Sequence, residues 1–219
     1  RKCFSNDGKA QVHSKFYRVD GGISMSKDKN KMKEANVIEI GAIYDDLITP
    51  VKDLETFHIL VKNDPITHLD ESAFNLHQKT GLIAKSLAEG INMRDAQVEF
   101  REQMDKWSCK LGNIDFDTYR GSNLFAFEYV SVNLPKLTMA GKNADGFDMP
   151  ILRNQGFNLN NFRYGCLDPG SMYFEDFGHI PSLTRINQKL GRDEVTHNAL
   201  DDCYDVIYAI RNKLGVKYE

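Results

Sequence analysis

The octapeptide Val37-Ile38-Glu39-Ile40-Gly41-Ala42-Ile43-Tyr44 decides the fold. Its β-branched and apolar residues suit the pleated, half-buried surface of a strand. Asp45-Asp46 follows at once and marks a turn. Upstream, residues 15–20 (K-F-Y-R-V-D) read as a shorter strand that ends on an acid. Downstream, residues 55–62 (E-T-F-H-I-L-V-K) read as a third strand. The three lie close together and are joined by turn-like segments, which predicts an antiparallel meander.

Beyond the meander the pattern alternates. Helical spacing is expected at residues 72–77, 82–88 and 95–111. The last puts Ala96, Phe100, Met104 and Trp107 on one face, where they read as core and not as a cofactor box. Residues 112–135, rich in aromatics, Asn and Gly, read as an insertion. A strand at 136–140 runs into Gly141, a helix covers 146–154, and a strand at 163–168 is broken by Pro169-Gly170. A helix at 181–190 has Pro at its start and Gly191 beyond its end, the expected asymmetry. The final helix, 198–214, carries Ala199, Cys203, Val206, Ile210 and Leu214 as its apolar stripe. Strands first, then strands alternating with helices, predict an α/β fold with one mixed sheet flanked by helices. No internal repeat or linker divides the chain. Residues 1–14 are expected to be a flexible segment and 15–219 a single domain.

The chain has 219 residues, of which 41% are apolar and 27% charged, so it can bury an ordinary core. Its net charge of −3 argues against a polybasic binder. Nucleic acid is not excluded, because a basic rim or bound metal offsets carboxylates locally. The lysine-rich stretch 21–36 reads as a solvated loop, with a phosphate-contacting loop as the alternative. Cys3, Cys109, Cys166 and Cys203 are scattered and form no C-x-x-C pair, which points to a reducing, cytoplasmic setting. No apolar run approaches the roughly 20 residues of a membrane span.

Three acids stand at telling places. Asp20 ends the first strand, Asp148 opens a helix after a Gly-Lys-Asn loop, and Asp202 lies in the first turns of the last helix. Each setting presents a carboxylate at the sheet's edge. The words around them are Gly141-Lys142-Asn143-Ala144-Asp145-Gly146-Phe147-Asp148-Met149-Pro150-Ile151-Leu152 and His197-Asn198-Ala199-Leu200-Asp201-Asp202. In the second, the spacing lets a loop imidazole and a helical carboxylate converge on one point.

Taken in order, these words resemble the DEDD-type 3′–5′ exonucleases with a histidine (DEDDh), the group of ribonuclease T and the proofreading subunit of the bacterial replicative polymerase. Ile38-Glu39-Ile40-Gly41-Ala42 is similar to that family's second strand and Thr56-Phe57-His58-Ile59-Leu60-Val61 to its third. Residues 143–152 and 197–202 are similar to its second and third motifs, and Leu167-Asp168-Pro169-Gly170-Ser171-Met172-Tyr173 to its later connecting segment. The resemblance implies an RNase H-like mixed five-stranded sheet, three antiparallel strands and then parallel ones, flanked by helices. It implies two Mg²⁺ or Mn²⁺ ions, about 4 Å apart, that clamp the scissile phosphate. Asp20, Asp148 and Asp202 would be the metal ligands, with Asp201 the solvated neighbour. His197 would be the general base, a task that suits an imidazole near neutral pH. Asn143 and Phe147 would meet the substrate, with Tyr119 and Phe125 as further stacking candidates. The implied partner is the 3′ end of single-stranded DNA or RNA, cut into nucleoside 5′-monophosphates. The implied assembly is a homodimer or a polymerase-associated subunit.

One motif departs from the family. Its first motif is Asp-x-Glu, with both carboxylates on one sheet face. Here the tripeptide is Asp20-Gly21-Gly22, and the Thr-x-Gly continuation is replaced by Ile23-Ser24-Met25. Three accounts are open. The protein is an impaired, nucleic-acid-binding relative; or Glu39, Asp28 or Glu34 substitutes for the missing acid; or the sequence is an altered variant.

Overall fold

Alternation along residues 36–44 sets the architecture. Ile40, Ala42 and Tyr44 face the main core, while Ile43 faces a second cluster with Cys203 and Ile207. One strand therefore holds a layer on each side. The computed structural model describes residues 13–14, 17–20, 36–62, 75, 77–123, 134–192 and 198–218, with side chains described from residue 37 onward except at 121–123.

Among these residues the strands are β1 (His13–Ser14), β2 (Tyr17–Asp20), β3 (Asn36–Tyr44), β4 (Glu55–Lys62), β5 (Ile91–Asn92), β6 (Leu137–Ala140) and β7 (Phe162–Leu167). The helices are α1 (Leu82–Glu89), α2 (Met93–Leu111), α3 (Phe116–Asn123), α4 (Asp148–Asn154), α5 (Pro169–Met172), α6 (Phe174–Phe177), α7 (Leu183–Lys189) and α8 (Ala199–Leu214). The antiparallel meander is present: β2 pairs with β3, and β3 with β4, with Gly41 opposite His58. A parallel β6–β7 ladder follows.

The single five-stranded sheet expected from the sequence is not what the described residues form. They make two hydrogen-bonded ladders, β1-β6-β7 and β2-β3-β4-β5. The reason lies in the first strand. His13–Ser14 pairs in parallel with β6, whereas Tyr17–Asp20 pairs antiparallel with β3 through an irregular register. The short β5, which the sequence reading did not include, adds a parallel pair to β4.

Helix α2 buries the expected face. Ala96, Phe100, Met104 and Trp107 are fully buried against β3, β4 and β6 residues. Each large apolar side chain of this kind contributes about 1.5–3 kcal/mol. The helix is capped by Asn92, whose side chain accepts from Asp95 N at 3.0 Å. The expected helix at 181–190 begins later, at Leu183, because Ser182 is its cap and accepts from Arg185 N at 3.3 Å. Pro181 stands outside it.

The last helix matches its expected bounds, with Asn198 as N-cap and Gly215 in the left-handed region at φ 69°. Its stripe differs at one end: Leu214 is 38% exposed, while Asp205 and Arg211 are buried. Of the expected helix at 72–77, only Asn75 and His77 lie within the described residues. Helix α3 occupies part of the supposed insertion, and residues 124–133 lie outside the described set. No helix among the described residues is long and apolar enough to cross a membrane.

Candidate active site at the ends of the parallel strands

Strands β6 and β7 run side by side and finish together, with Ala140 opposite Leu167. In open α/β sheets, ligands bind beyond the carboxyl ends of such strands. Two short connections leave from there, 141–147 after β6 and the β7–α5 junction. Gly141 N donates to Leu167 O at 3.1 Å, which keeps the two exits adjacent.

Asp168 joins these connections. Its Oδ1 accepts from Gly170 N at 2.6 Å and Ser171 N at 3.3 Å, capping α5. Its Oδ2 accepts from Asn143 N at 2.7 Å and faces Lys142 Nζ at 3.5 Å. The lysine stem crosses Gly170 so closely that a Cβ there would fall 2.8 Å from Lys142 Cε. Asn143 is exposed and holds φ 56°, in the left-handed region that Asn tolerates better than most residues. The chain then turns: Gly146 N donates to Asn143 O at 3.2 Å, and Met149 N to Ala144 O at 2.9 Å.

Asp148 is the first residue of α4 and is 3% exposed. Phe147 before it is half-buried and packs against the main core. Asp202 lies in the first turn of α8, fully buried, with its N donating to Asn198 O at 3.0 Å. Helices α4 and α8 both contact β2, the strand that ends on Asp20. The three elements expected to carry the acids therefore meet. The side chain of Asp20 and all of Gly21, Gly22, Asp28, Glu34, Phe125 and His197 lie outside the described residues. Among the described residues no group of three or more His, Cys, Asp or Glu forms a metal-holding cluster.

The neighbourhood is acidic. Burial, and then the carboxylates of Asp168, Asp145 and Asp148, push the Cys166 thiol up to about 12.

Other expected residues fall elsewhere. Tyr119 stacks near Phe116 at 6.3 Å on α3, which packs on α2. The Asp105 carboxylate beside it receives Asn161 Nδ2 at 2.9 Å, at the opposite end of the parallel ladder from Asp148. Tyr119 thus stands on a different part of the fold from Asp148. Glu39 is 2% exposed, and both its oxygens are engaged: Oε1 lies 2.7 Å from His58 Nε2 and Oε2 accepts from Ala199 N at 3.3 Å. It therefore serves β3, β4 and α8. Asp168 was not singled out from the sequence, although Asp before Pro-Gly is a helix-start signal.

No family model matches the chain, and no curated protein matches it. Solved structures do. A 3′-exonuclease studied for 3′-end-specific recognition of histone mRNA stem-loop aligns with a TM-score of 0.54 and 14% identity, over 94% of this chain and 82% of that one. The RNase domain of the yeast Pop2 protein aligns with a TM-score of 0.50 and 15% identity, over 94% and 76%. A yeast structure of the NOT1 MIF4G domain co-crystallised with CAF1 gives 0.51 and 14%, over 94% and 80%. At such identities the likeness is one of fold: this chain shares its fold with these solved 3′-exonuclease and RNase-domain structures.

Proposed function

We propose that this chain is a divalent-metal-dependent 3′–5′ exonuclease acting on single-stranded DNA or RNA and releasing nucleoside 5′-monophosphates. The observation that carries this reading is the meeting of α4 and α8, each with a buried aspartate in its first turn, on the strand that ends at Asp20, within the fold of the solved exonucleases. Carboxylates are hard oxygen donors that suit Mg²⁺ or Mn²⁺, and buried ones gain most from a cation. In this reading Asp20, Asp148 and Asp202 hold the metal. Bound metal would acidify the attacking water and offset charge on the scissile phosphate. His197 would serve as the general base toward the attacking water. Asn143 and Phe147 orient the terminal nucleotide. The scattered cysteines with no C-x-x-C pair suit a reducing, cytoplasmic setting.

A second reading is favoured by Gly22, which stands where the family's second carboxylate would be. In that reading the chain binds 3′ ends and cuts them poorly. One experiment separates the two. A 5′-labelled single strand is incubated with Mg²⁺, Mn²⁺ or chelator, and digestion is followed on a gel. The active reading predicts stepwise shortening from the 3′ end with metal only. An intact strand that Gly22→Glu renders digestible supports the impaired reading. A strand that remains intact with both proteins, and binds neither, overturns both.

A further inference from the structure

Every backbone N–H in the opening turn of α8 has a partner, and one of these partners comes from the sheet. The Asn198 side chain accepts from Leu200 N at 3.0 Å and Asp201 N at 3.4 Å. Asp202 N donates to Asn198 O at 3.0 Å. Ala199 N donates to Glu39 Oε2 at 3.3 Å. Helix starts leave such N–H groups unsatisfied unless something outside the helix meets them. A carboxylate there is also favoured by the helix dipole.

The strand comes unusually close at the same place. A Cβ on Gly41 would fall 2.8 Å from the Ala199 carbonyl carbon and 2.9 Å from its Cβ. Cys203 Sγ donates to Gly41 O at 3.5 Å. Glu39 and Gly41, two residues apart on one face of β3, thus seat a single helical turn. His58 on β4 fixes the carboxylate laterally at 2.7 Å, and it is 29% exposed against 3% for the Glu39 side chain. A buried carboxylate inside the run Val37-Ile38-Glu39-Ile40 is unfavourable unless it is fully hydrogen-bonded. Its partners explain its place.

We propose that Glu39, held by His58, is a positioning residue that fixes the first turn of α8, and with it Asp202. This rests on the exonuclease reading for its catalytic consequence only; the structural consequence stands without it.

The test uses the whole chain with Glu39→Leu, Glu39→Gln and His58→Leu. Amide hydrogen exchange is measured at 199–203 and, as a control, across 100–107 in α2. The expectation for Glu39→Leu is exchange at 199–203 faster by at least tenfold, with α2 unchanged. Glu39→Gln keeps an acceptor for Ala199 N and stays within threefold of the parent. In the nuclease assay Glu39→Leu lowers kcat by at least tenfold with KM within threefold, and Glu39→Gln recovers most of kcat. Should Glu39→Leu fail to fold, His58→Leu, at an exposed position, is expected to show the same local loosening. Equal acceleration in α2, or no change at 199–203, overturns the proposal. If the parent cuts no strand, the nuclease reading fails while the exchange result still decides the role of Glu39.

Discussion

Arg211 and Asp45, 166 residues apart, form a buried ion pair: Arg211 Nε donates to Asp45 Oδ2 at 3.0 Å, and Nη2 donates to Oδ1. The side chains are 1% and 0% exposed. Arg211 also donates to Thr49 O at 2.7 Å and Lys217 O at 3.1 Å, so one guanidinium joins the β3–β4 turn, α8 and the chain after it. Removing one member of a buried pair strands the other charge. Arg211→Met is therefore expected to lower stability by about 3–5 kcal/mol. Adding Asp45→Asn should recover part of the loss, since the stranded charge is gone. The recovery will be incomplete because the Arg211 bonds to Thr49 O and Lys217 O are lost as well. Urea unfolding midpoints of the three proteins check this.

Glu55 predicts a pH dependence. Burial pushes its carboxyl up, but hydrogen bonds from Lys110 and Trp107 outweigh that and hold it below the ordinary glutamate range. Trp107 Nε1 donates to Oε2 at 3.0 Å. A depressed folded value means that the stabilisation is present above the unfolded value and is lost as pH falls through the folded one. The side chain is 39% exposed, so the effect is modest. Glu55→Gln is expected to destabilise by about 0.5 kcal/mol near pH 7, and the difference should vanish by about pH 2. Denaturant titrations of both proteins at several pH values measure it.

Asp168 separates capping from loop placement. Asp168→Ala removes both, with about 1 kcal/mol lost from the cap. Asp168→Asn keeps one oxygen for Gly170 N and Ser171 N but loses the second acceptor for Asn143 N. Under the exonuclease reading, both variants should lose about 10- to 100-fold in kcat, because small displacements of a site loop are amplified in rate. Only the alanine variant should melt appreciably lower. If the asparagine variant retains full kcat, the Asp168–Asn143 bond is not a catalytic support.

Local patterns made the strands and the long helices legible. Ile40, Ala42 and Tyr44 face one core with Ile43 facing another, and Phe100, Met104 and Trp107 recur at helical spacing, so neighbours in sequence carried the signal. Asp148 and Asp202 were legible because an acid at a helix start is a local feature too. What escaped was long-range. Hydropathy extended the α8 stripe to Leu214 and passed over Arg211, whose burial depends on a carboxylate far away in sequence. Glu39 read as an oddity in an apolar strand, because its partners lie on β4 and α8. The division of the first strand between two ladders depends on pairing register, which composition does not encode.

Asp202 offers a test that does not require turnover. Its carboxylate is fully buried in the first turn of α8. In the proposed reading several carboxylates converge to hold a cation, and their mutual repulsion is unfavourable while the cation is absent. Asp202→Asn, nearly isosteric and neutral, is therefore expected to raise the melting temperature of metal-free protein. The same substitution should abolish the gain on adding Mn²⁺. A ligand of the native state at 100 times its dissociation constant stabilises by about 2.7 kcal/mol, which thermal unfolding resolves readily. Asp148→Asn should behave alike, since Asp148 opens the other helix on β2. If the parent gains nothing from Mn²⁺, or if both asparagine variants gain as much as the parent, neither aspartate is a metal ligand. The fold would then carry an exonuclease's outline without its centre. If the parent gains and both variants do not, the remaining question is chemical: whether a site with Gly22 in place of the family's second carboxylate still cuts. Gly22→Glu assayed beside the parent answers that, because a strengthened Mn²⁺ shift together with faster digestion would trace the deficit to that one position.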